Sequence, residues 1–159
     1  MHTPMIKVLY IDDELNNLVA FAAAFRRKFQ VHTASSAAEG LKVLVSEEIH
    51  VILSDQRMPV MTGIDFFESI LERFPDPIRI LITGYADVNA VIGAINRGQV
   101  YKYIEKPWDE ATLAIFIERA YEVFNLRQQN VQLIDQLQHA SQKLEQMARR
   151  MFVPQMLAS

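Results

Sequence analysis

The chain has no cysteine in its 159 residues, which excludes a disulfide framework and any thiol or iron–sulfur chemistry. It carries little net charge, only −3, so nothing in it argues for a nucleic-acid-binding surface. It also lacks a long apolar run. The longest, Leu18 to Phe25, falls far short of the ~20 residues that a membrane-spanning helix needs. The opening stretch MHTPMIKV has no signal-peptide layout. From these absences we expect a soluble, cytoplasmic protein with no membrane partner and no nucleic acid bound by this chain. Glycine is missing from Pro107 to Ser159, and proline from the residues between Pro107 and Pro154, so neither common helix breaker interrupts that stretch. What the chain does have is apolar bulk. Half of its residues are apolar, enough to bury a core, and its length fits one domain with an appendage.

Two kinds of segment alternate over the first 120 or so residues. Short β-branched and aromatic runs at Val8–Ile11, Val51–Leu53, Ile78–Ile82 and Val100–Ile104, with a weaker one at Val31–Thr33, read as buried strands. Between them Leu15–Lys28, Ala37–Val45, Ile64–Phe74 and Val88–Asn96 have helical spacing. Ser36 and Asp87 read as N-caps and Gly98 as a helix stop. Repeated strand–helix alternation predicts an α/β fold, a parallel sheet covered on both faces.

The uninterrupted C-terminal stretch predicts one helix over Ala111–Met151, ending before Pro154. Within it Val123, Asn130, Leu137, Leu144 and Met151 recur every seven residues. Leu126, Leu133, Ala140 and Met147 form a second row, and the alternating steps of three and four are those of a coiled-coil seam. We therefore expect a homodimer through this helix, with Asn130 at a core position fixing register and favouring two strands. The expected division is a domain over 1–122, a coiled coil over 123–151, and a tail or linker over 152–159.

In an open parallel sheet, ligands bind at the carboxyl ends of the strands. Asp12 and Asp13 follow the first strand, in LYIDDE, and Asp55 the third, in ILSDQRMPVMTG. Thr83 ends the fourth, in ILITGYAD, and Lys106 follows the fifth, in YKYIEKPWD. Each residue taken alone is more often a turn former, a cap or a solvated charge. Together they make an acidic nest with one hydroxyl and one ammonium. Such a nest suits Mg²⁺, which takes oxygen ligands and keeps waters for a phosphoryl group. With a carboxylate nucleophile, the set can carry out phosphoryl transfer through an aspartyl phosphate. Glu14 reads as first-turn helix chemistry rather than a ligand. If like-charge repulsion dominates, Asp12→Ala or Asp13→Ala should stabilise the metal-free fold.

Residues 6 to about 122 resemble the receiver domain of bacterial two-component response regulators. The resemblance rests on Asp12-Asp13, the DxxMPxxxG stretch from Asp55 to Gly63, Thr83 after an apolar strand, and Lys106-Pro107. It implies a flavodoxin-like, doubly wound sheet of order 2-1-3-4-5 with five helices, the last extended into the coiled coil. It also implies a set of roles. Asp55 matches the phospho-acceptor toward a sensor histidine kinase or phosphotransfer protein. Asp12, Asp13, Asp55 and the backbone carbonyl of Arg57 match the Mg²⁺ site, where Mn²⁺ or Ca²⁺ may substitute. Thr83 matches the hydroxyl that turns toward the phosphoryl group, Tyr103 the aromatic that moves with it, and Lys106 the cation that pairs with Asp55. The Lys106–Pro107 bond is cis in the family.

One departure is Gly84, where the family often has a small side chain such as alanine; it predicts an accessible acceptor and a mobile loop. Arg57 and Tyr85 would flank the path of a hydrolytic water. The resemblance further implies that phosphorylation repacks the fourth helix, fifth strand and fifth helix, about Asp87 to Tyr121, and alters helix pairing near Tyr121 to Leu126. ITGYAD and KPWDE look like receivers coupled to enzymatic outputs: nucleotide cyclases, cyclic-di-nucleotide enzymes or protein phosphatases. FVP after the coiled coil resembles the lead-in to a cyclase. The chain is thus expected to precede an output domain. The alternatives are a stand-alone receiver, a pseudo-receiver acting as a dimerisation scaffold, and a phosphohydrolase, whose usual pattern of alternating acids is missing.

Overall fold

A computed structural model describes residues 5–158; the side chains of Tyr85 and of residues 153–158 lie outside that description. Five strands, β1 (Lys7–Ile11), β2 (Gln30–Ala34), β3 (Val51–Asp55), β4 (Ile78–Thr83) and β5 (Lys102–Glu105), form one sheet of order β2-β1-β3-β4-β5, with every pairing parallel. This is the expected flavodoxin-like fold. The strands are connected by α1 (Leu15–Phe25), α2 (Ala37–Ser46), α3 (Gly63–Ser69), and the short pair α4 (Val88–Ile92) and α5 (Ile95–Gly98). The long α6 (Glu110–Ala158) follows β5. The chain divides into two compact units between Phe124 and Asn125.

Side chains alternate across each strand, so β1 splits its apolar run between two cores. Val8 and Tyr10 join Val51, Leu53, Ile78, Ile80 and Ile82 under α1 and the first turns of α6. Leu9 and Ile11 join Ile52 and Leu81 under α2, α3 and α4. Because both faces are covered, β3 and β4 are buried along their whole length, which explains their unbroken apolar character. On the α1 side the rings of Tyr10 and Phe21 stack at 4.5 Å, and Trp108 closes the cluster 5.7 Å from Phe25.

Three local expectations need correction. Val88–Asn96 is not one helix: α4 stops at Ile92, and α5 starts at Ile95 after Gly93, whose lack of a side chain weakens a helix interior. Asp87 occupies the N-cap position but makes no capping bond there, because its carboxylate pairs with the Arg57 guanidinium. Gly98 ends α5 as expected, and the left-handed turn falls on Gln99, with φ 49° and ψ 50°. Gly98 is needed for close packing, since a Cβ there would lie 3.2 Å from Phe67 Cβ. Finally, α6 runs through Pro154. A proline costs a helix one N–H donor, and this one falls in the last turns, where little helix remains to be disrupted. Ser36 does cap α2, accepting from the Glu39 amide. The Lys106–Pro107 bond is cis.

In the second unit the described residues form one helical run. Leu126, Leu133, Leu137, Leu144, Met147 and Met151 are exposed along it, and so is Asn130.

Candidate functional site

Strand register alone nearly builds the site. Ile11 pairs with Ser54, so Asp12 lies beside Asp55, each at the next step beyond that pair. Asp55 pairs with Ile82, which places Thr83 one step further out, and Thr83 pairs with Glu105, just before Lys106. Carboxylate oxygens of Asp12, Asp13 and Asp55 lie within 4.8 Å of one another. Lys106 Nζ stands 2.9 Å from Asp55 Oδ1. Asp13, Asp55, Arg57, Gly84, Asp87 and Lys106 line a cavity of about 450 Å³ over this edge. Groups that are far apart in the sequence thus share one pocket.

The three acids differ in their surroundings. Asp12 is fully buried and both of its oxygens are engaged. Oδ1 accepts from the Glu14 amide at 2.9 Å. Oδ2 accepts from the Tyr10 hydroxyl at 2.6 Å and from Asn17 Nδ2 at 3.0 Å. Burial, and then this bond to Asp12, push the Tyr10 phenol far above its ordinary pKa, so Tyr10 is a fixed donor. Asp12→Ala would strand a buried phenol, a cost that opposes the expected relief of repulsion at this position. Asp13 is exposed.

Asp55 is 5% exposed. Burial raises its pKa; Lys106 pulls it back down, and Asp12 and Asp13 push it up again, for a net rise. Burial lowers the Lys106 pKa, but the Asp55 carboxylate outweighs it with help from Asp12 and Glu14, for a net rise. Burial is the main cause of the Asp55 rise, and in both groups the neighbouring carboxylates add an excess of negative charge that one lysine does not neutralise. A hard divalent cation fits that excess: three carboxylate oxygen donors converge, and one of the carboxylates is held rigidly. The Arg57 backbone belongs to the loop lining the same cavity.

Thr83 is fully buried, and its hydroxyl donates to the Gly84 carbonyl at a long 3.4 Å. Tyr103 is half-buried on β5, packs against the core on the α3 side, and lines a groove of about 530 Å³ with Ile95, Tyr101 and Phe116. The Arg57 side chain reaches Asp87 rather than Asp55. The Tyr85 side chain lies outside the described residues.

The sequence reading missed several supports. Ser54 Oγ donates to the Asp55 carbonyl at 3.0 Å. The Gln56 amide donates to Ile82 O, while its side-chain Oε1 accepts from the Ile64 amide, tying the loop after β3 to β4 and α3. Gly63 was visible only as a motif letter. Its physical reason is the backbone: a Cβ there would lie 2.6 Å from the Asp55 carbonyl oxygen. Polar residues flanking an acid, as Tyr10, Ser54 and Gln56 do, were the available signal.

This geometry agrees with comparison to known proteins. Residues 8–118 match the family described as response regulator receiver domain. The chain belongs to the receiver family. It is 34% identical over 122 residues to the hydrogenase transcriptional regulatory protein HoxA of Bradyrhizobium diazoefficiens, covering 77% of this chain and 25% of that protein. HoxA of Cupriavidus necator is 38% identical over 120 residues, covering 76% and 25%. This receiver thus spans about a quarter of the length of the curated relatives it matches. Among solved structures, the signal receiver domain of an HD domain-containing protein from Pseudomonas fluorescens superposes with a TM-score of 0.75 at 28% identity, over 81% of this chain and 96% of that one. Among the described residues no helix is long and apolar enough to cross a membrane.

Proposed function

We propose that this receiver takes a phosphoryl group from the phosphohistidine of a sensor histidine kinase, or of a phosphotransfer protein, onto Asp55 in a Mg²⁺-dependent reaction. The 2.9 Å Lys106–Asp55 pair beside two further acids carries this reading, because it joins a nucleophile, a cation and a metal-binding donor set in one cavity. An Asp55 carboxylate oxygen forms the new bond to phosphorus, and the phosphorus–nitrogen bond breaks as the histidine leaves. Asp12, Asp13, Asp55 and the Arg57 carbonyl would hold a divalent cation, which when bound would supply charge neutralisation for the transferring group. Lys106 pairs with Asp55 beforehand and with the phosphoryl oxygens afterwards. Thr83, whose hydroxyl makes a long contact to Gly84, gains a strong acceptor in the phosphorylated state. Tyr103 and the groove beside α5 form the surface that responds.

The signal leaves through α6. Its exposed apolar rows support pairing with a second copy, with Asn130 holding register. Receivers similar to this one serve both a transcriptional regulator and an HD domain-containing protein, so the class of output resides outside the receiver.

The test is intact-mass measurement after incubation with Mg²⁺ and acetyl phosphate. One added phosphoryl group on the wild type, absent from Asp55→Asn and from an EDTA control, is the expected result. No addition, together with no binding of beryllofluoride, would leave a dimerisation scaffold. Rapid turnover of unrelated phosphomonoesters would point to a hydrolase.

A further inference from the structure

At the opposite edge of the sheet, His50 sits immediately before β3 and is 7% exposed. Its backbone is paired on both sides: His50 N donates to Lys7 O, and Ile78 N donates to His50 O, each at 2.9 Å. Its ring is paired as well. The Lys7 amide donates to His50 Nδ1 at 3.0 Å. That bond fixes the ring chemistry, because an acceptor Nδ1 carries no proton; the ring is neutral, with its hydrogen on Nε2. Nε2 faces Glu48 Oε1 at 3.5 Å. The ring also packs on two aromatic residues of α6, with centroids 4.9 Å from Tyr121 and 4.9 Å from Phe124. Phe124 is the last residue of the first unit. His50 thus joins the start of β1 to the segment of α6 at which that unit ends.

We propose that His50 is a proton-operated latch that seats Tyr121 and Phe124 of α6 on the lower edge of the sheet and releases them on acidification. A proton added to Nδ1 would set two N–H groups against each other across 3.0 Å, so the ring must leave the Lys7 amide. It would also place a cation in a largely apolar slot. The charged and titratable groups that face the ring are few. Lys7, on β1, opposes a positive ring. Glu48, in the loop before β3, favours it, but its side chain is 64% exposed and already paired with Lys7 Nζ at 3.2 Å. From α6 come the Tyr121 phenol and the Phe124 ring, and from β4 the Ile78 amide meets the His50 carbonyl. Burial outweighs Glu48, and the ring's pKa falls below its ordinary value of 6.5. The latch therefore holds at neutral pH and opens below about 6.5. The acidic pocket lies at the other end of β3, so this input does not require phosphorylation of Asp55.

The test is NMR of the full chain between about pH 7.5 and about pH 5, following the His50 ring nitrogens, the Lys7 amide and the Tyr121 and Phe124 ring protons. We expect the Nε2–H tautomer at the upper end and a His50 midpoint below 6.5. The Lys7 amide should lose about tenfold in exchange protection, and the two rings should shift at the same midpoint. His50→Asn keeps an acceptor for the Lys7 amide but does not titrate, so it should remove that midpoint from Tyr121 and Phe124. Asp55→Asn should leave the titration unchanged, which separates this proposal from the phosphorylation reading. A His50 midpoint at or above 6.5, or Tyr121 and Phe124 rings that ignore it, would overturn the latch.

Discussion

Arg57 Nη2 lies 2.7 Å from Asp87 Oδ1, joining the loop after β3 to the turn after β4 across the mouth of the acidic pocket. The two residues are thirty apart in sequence, and each carries the other's counter-charge in front of Asp55. The pair forms a strap over the pocket, and under the phosphorylation of Asp55 proposed above a small phosphodonor and a hydrolytic water would both have to pass it.

Breaking the strap should therefore speed both directions of phosphoryl chemistry. Arg57 is exposed, and exposed pairs hold weakly, so Arg57→Ala and Asp87→Asn are each expected to raise acetyl-phosphate loading and self-dephosphorylation only about two- to fivefold. Single-turnover rates measured by intact mass check this. If both rates match wild type, the strap does not gate the pocket.

How much of this was legible in the sequence differs from residue to residue. The strands and the convergence of Asp12, Asp13, Asp55 and Lys106 were readable because buried parallel strands leave unbroken apolar runs, and whatever follows those runs must share an edge, whereas the strand order came only with the receiver resemblance. The partners of Asp87 and Asp12 were not readable. Whether a carboxylate caps its own helix or reaches a residue thirty positions away depends on loop geometry, as at Arg57–Asp87. That Asp12 is fully buried and Asp13 exposed follows from the pleat and the loop after β1, which the identical letters DD do not encode. Gly93 and Gly98 share a letter but not a role: one lies at a break between helices and the other permits close packing.

Asp12 and Asp13 should behave oppositely when truncated. In EDTA, Asp13→Ala removes an exposed like charge and should stabilise the fold by a few tenths to about 0.5 kcal/mol. Asp12→Ala leaves the buried Tyr10 hydroxyl without its 2.6 Å partner and should cost about 1–3 kcal/mol. Urea unfolding of both variants tests the contrast. A stabilised Asp12→Ala would mean that repulsion outweighs the hydrogen-bond network.

The raised pKa of Asp55 makes a pH prediction. Burial and its acidic neighbours favour the protonated form in the folded state. Protonated Asp55 therefore adds stability that is fully present below the unfolded value of 3.8 and is lost as pH rises through the higher folded value. Asp55→Asn mimics the neutral acid, so in EDTA near neutral pH it should be more stable than wild type. That advantage should fade as the pH falls toward 3.8. Excess Mg²⁺ should narrow it at neutral pH by stabilising wild type preferentially. Thermal unfolding across pH, with and without Mg²⁺, gives the readout. An advantage that persists at low pH would place its origin in something other than the charge on Asp55.

The two glycines nearest the pocket should respond differently to one added methyl. At Gly63 a Cβ would sit 2.6 Å from the Asp55 carbonyl oxygen and 2.9 Å from Leu81 Cδ1. Backbone on one side and packed core on the other leave nothing to yield, so Gly63→Ala should cost about 1–3 kcal/mol and shift Asp55 out of reach of Lys106. At Gly84 the nearest atom is Asp87 Oδ2, at 3.9 Å, an ordinary contact. Gly84→Ala should fold normally and load phosphoryl within about twofold of wild type. Equal losses in the two variants would show that the loop after β4 is as tightly packed as the loop after β3.

Asn130 gives the paired-helix reading its sharpest test. If the exposed rows of α6 meet a second copy, replacing Asn130 with isoleucine removes a buried polar residue from the seam. The assembly should then become more stable and less strictly two-stranded. Leu133→Asp together with Leu137→Asp, in the same seam, should abolish association while leaving the receiver folded, since neither residue belongs to its two cores. Analytical ultracentrifugation of the three chains distinguishes the outcomes. A wild-type chain that sediments as a monomer at all accessible concentrations would remove the second copy from the proposal and leave the apolar rows for a different partner helix.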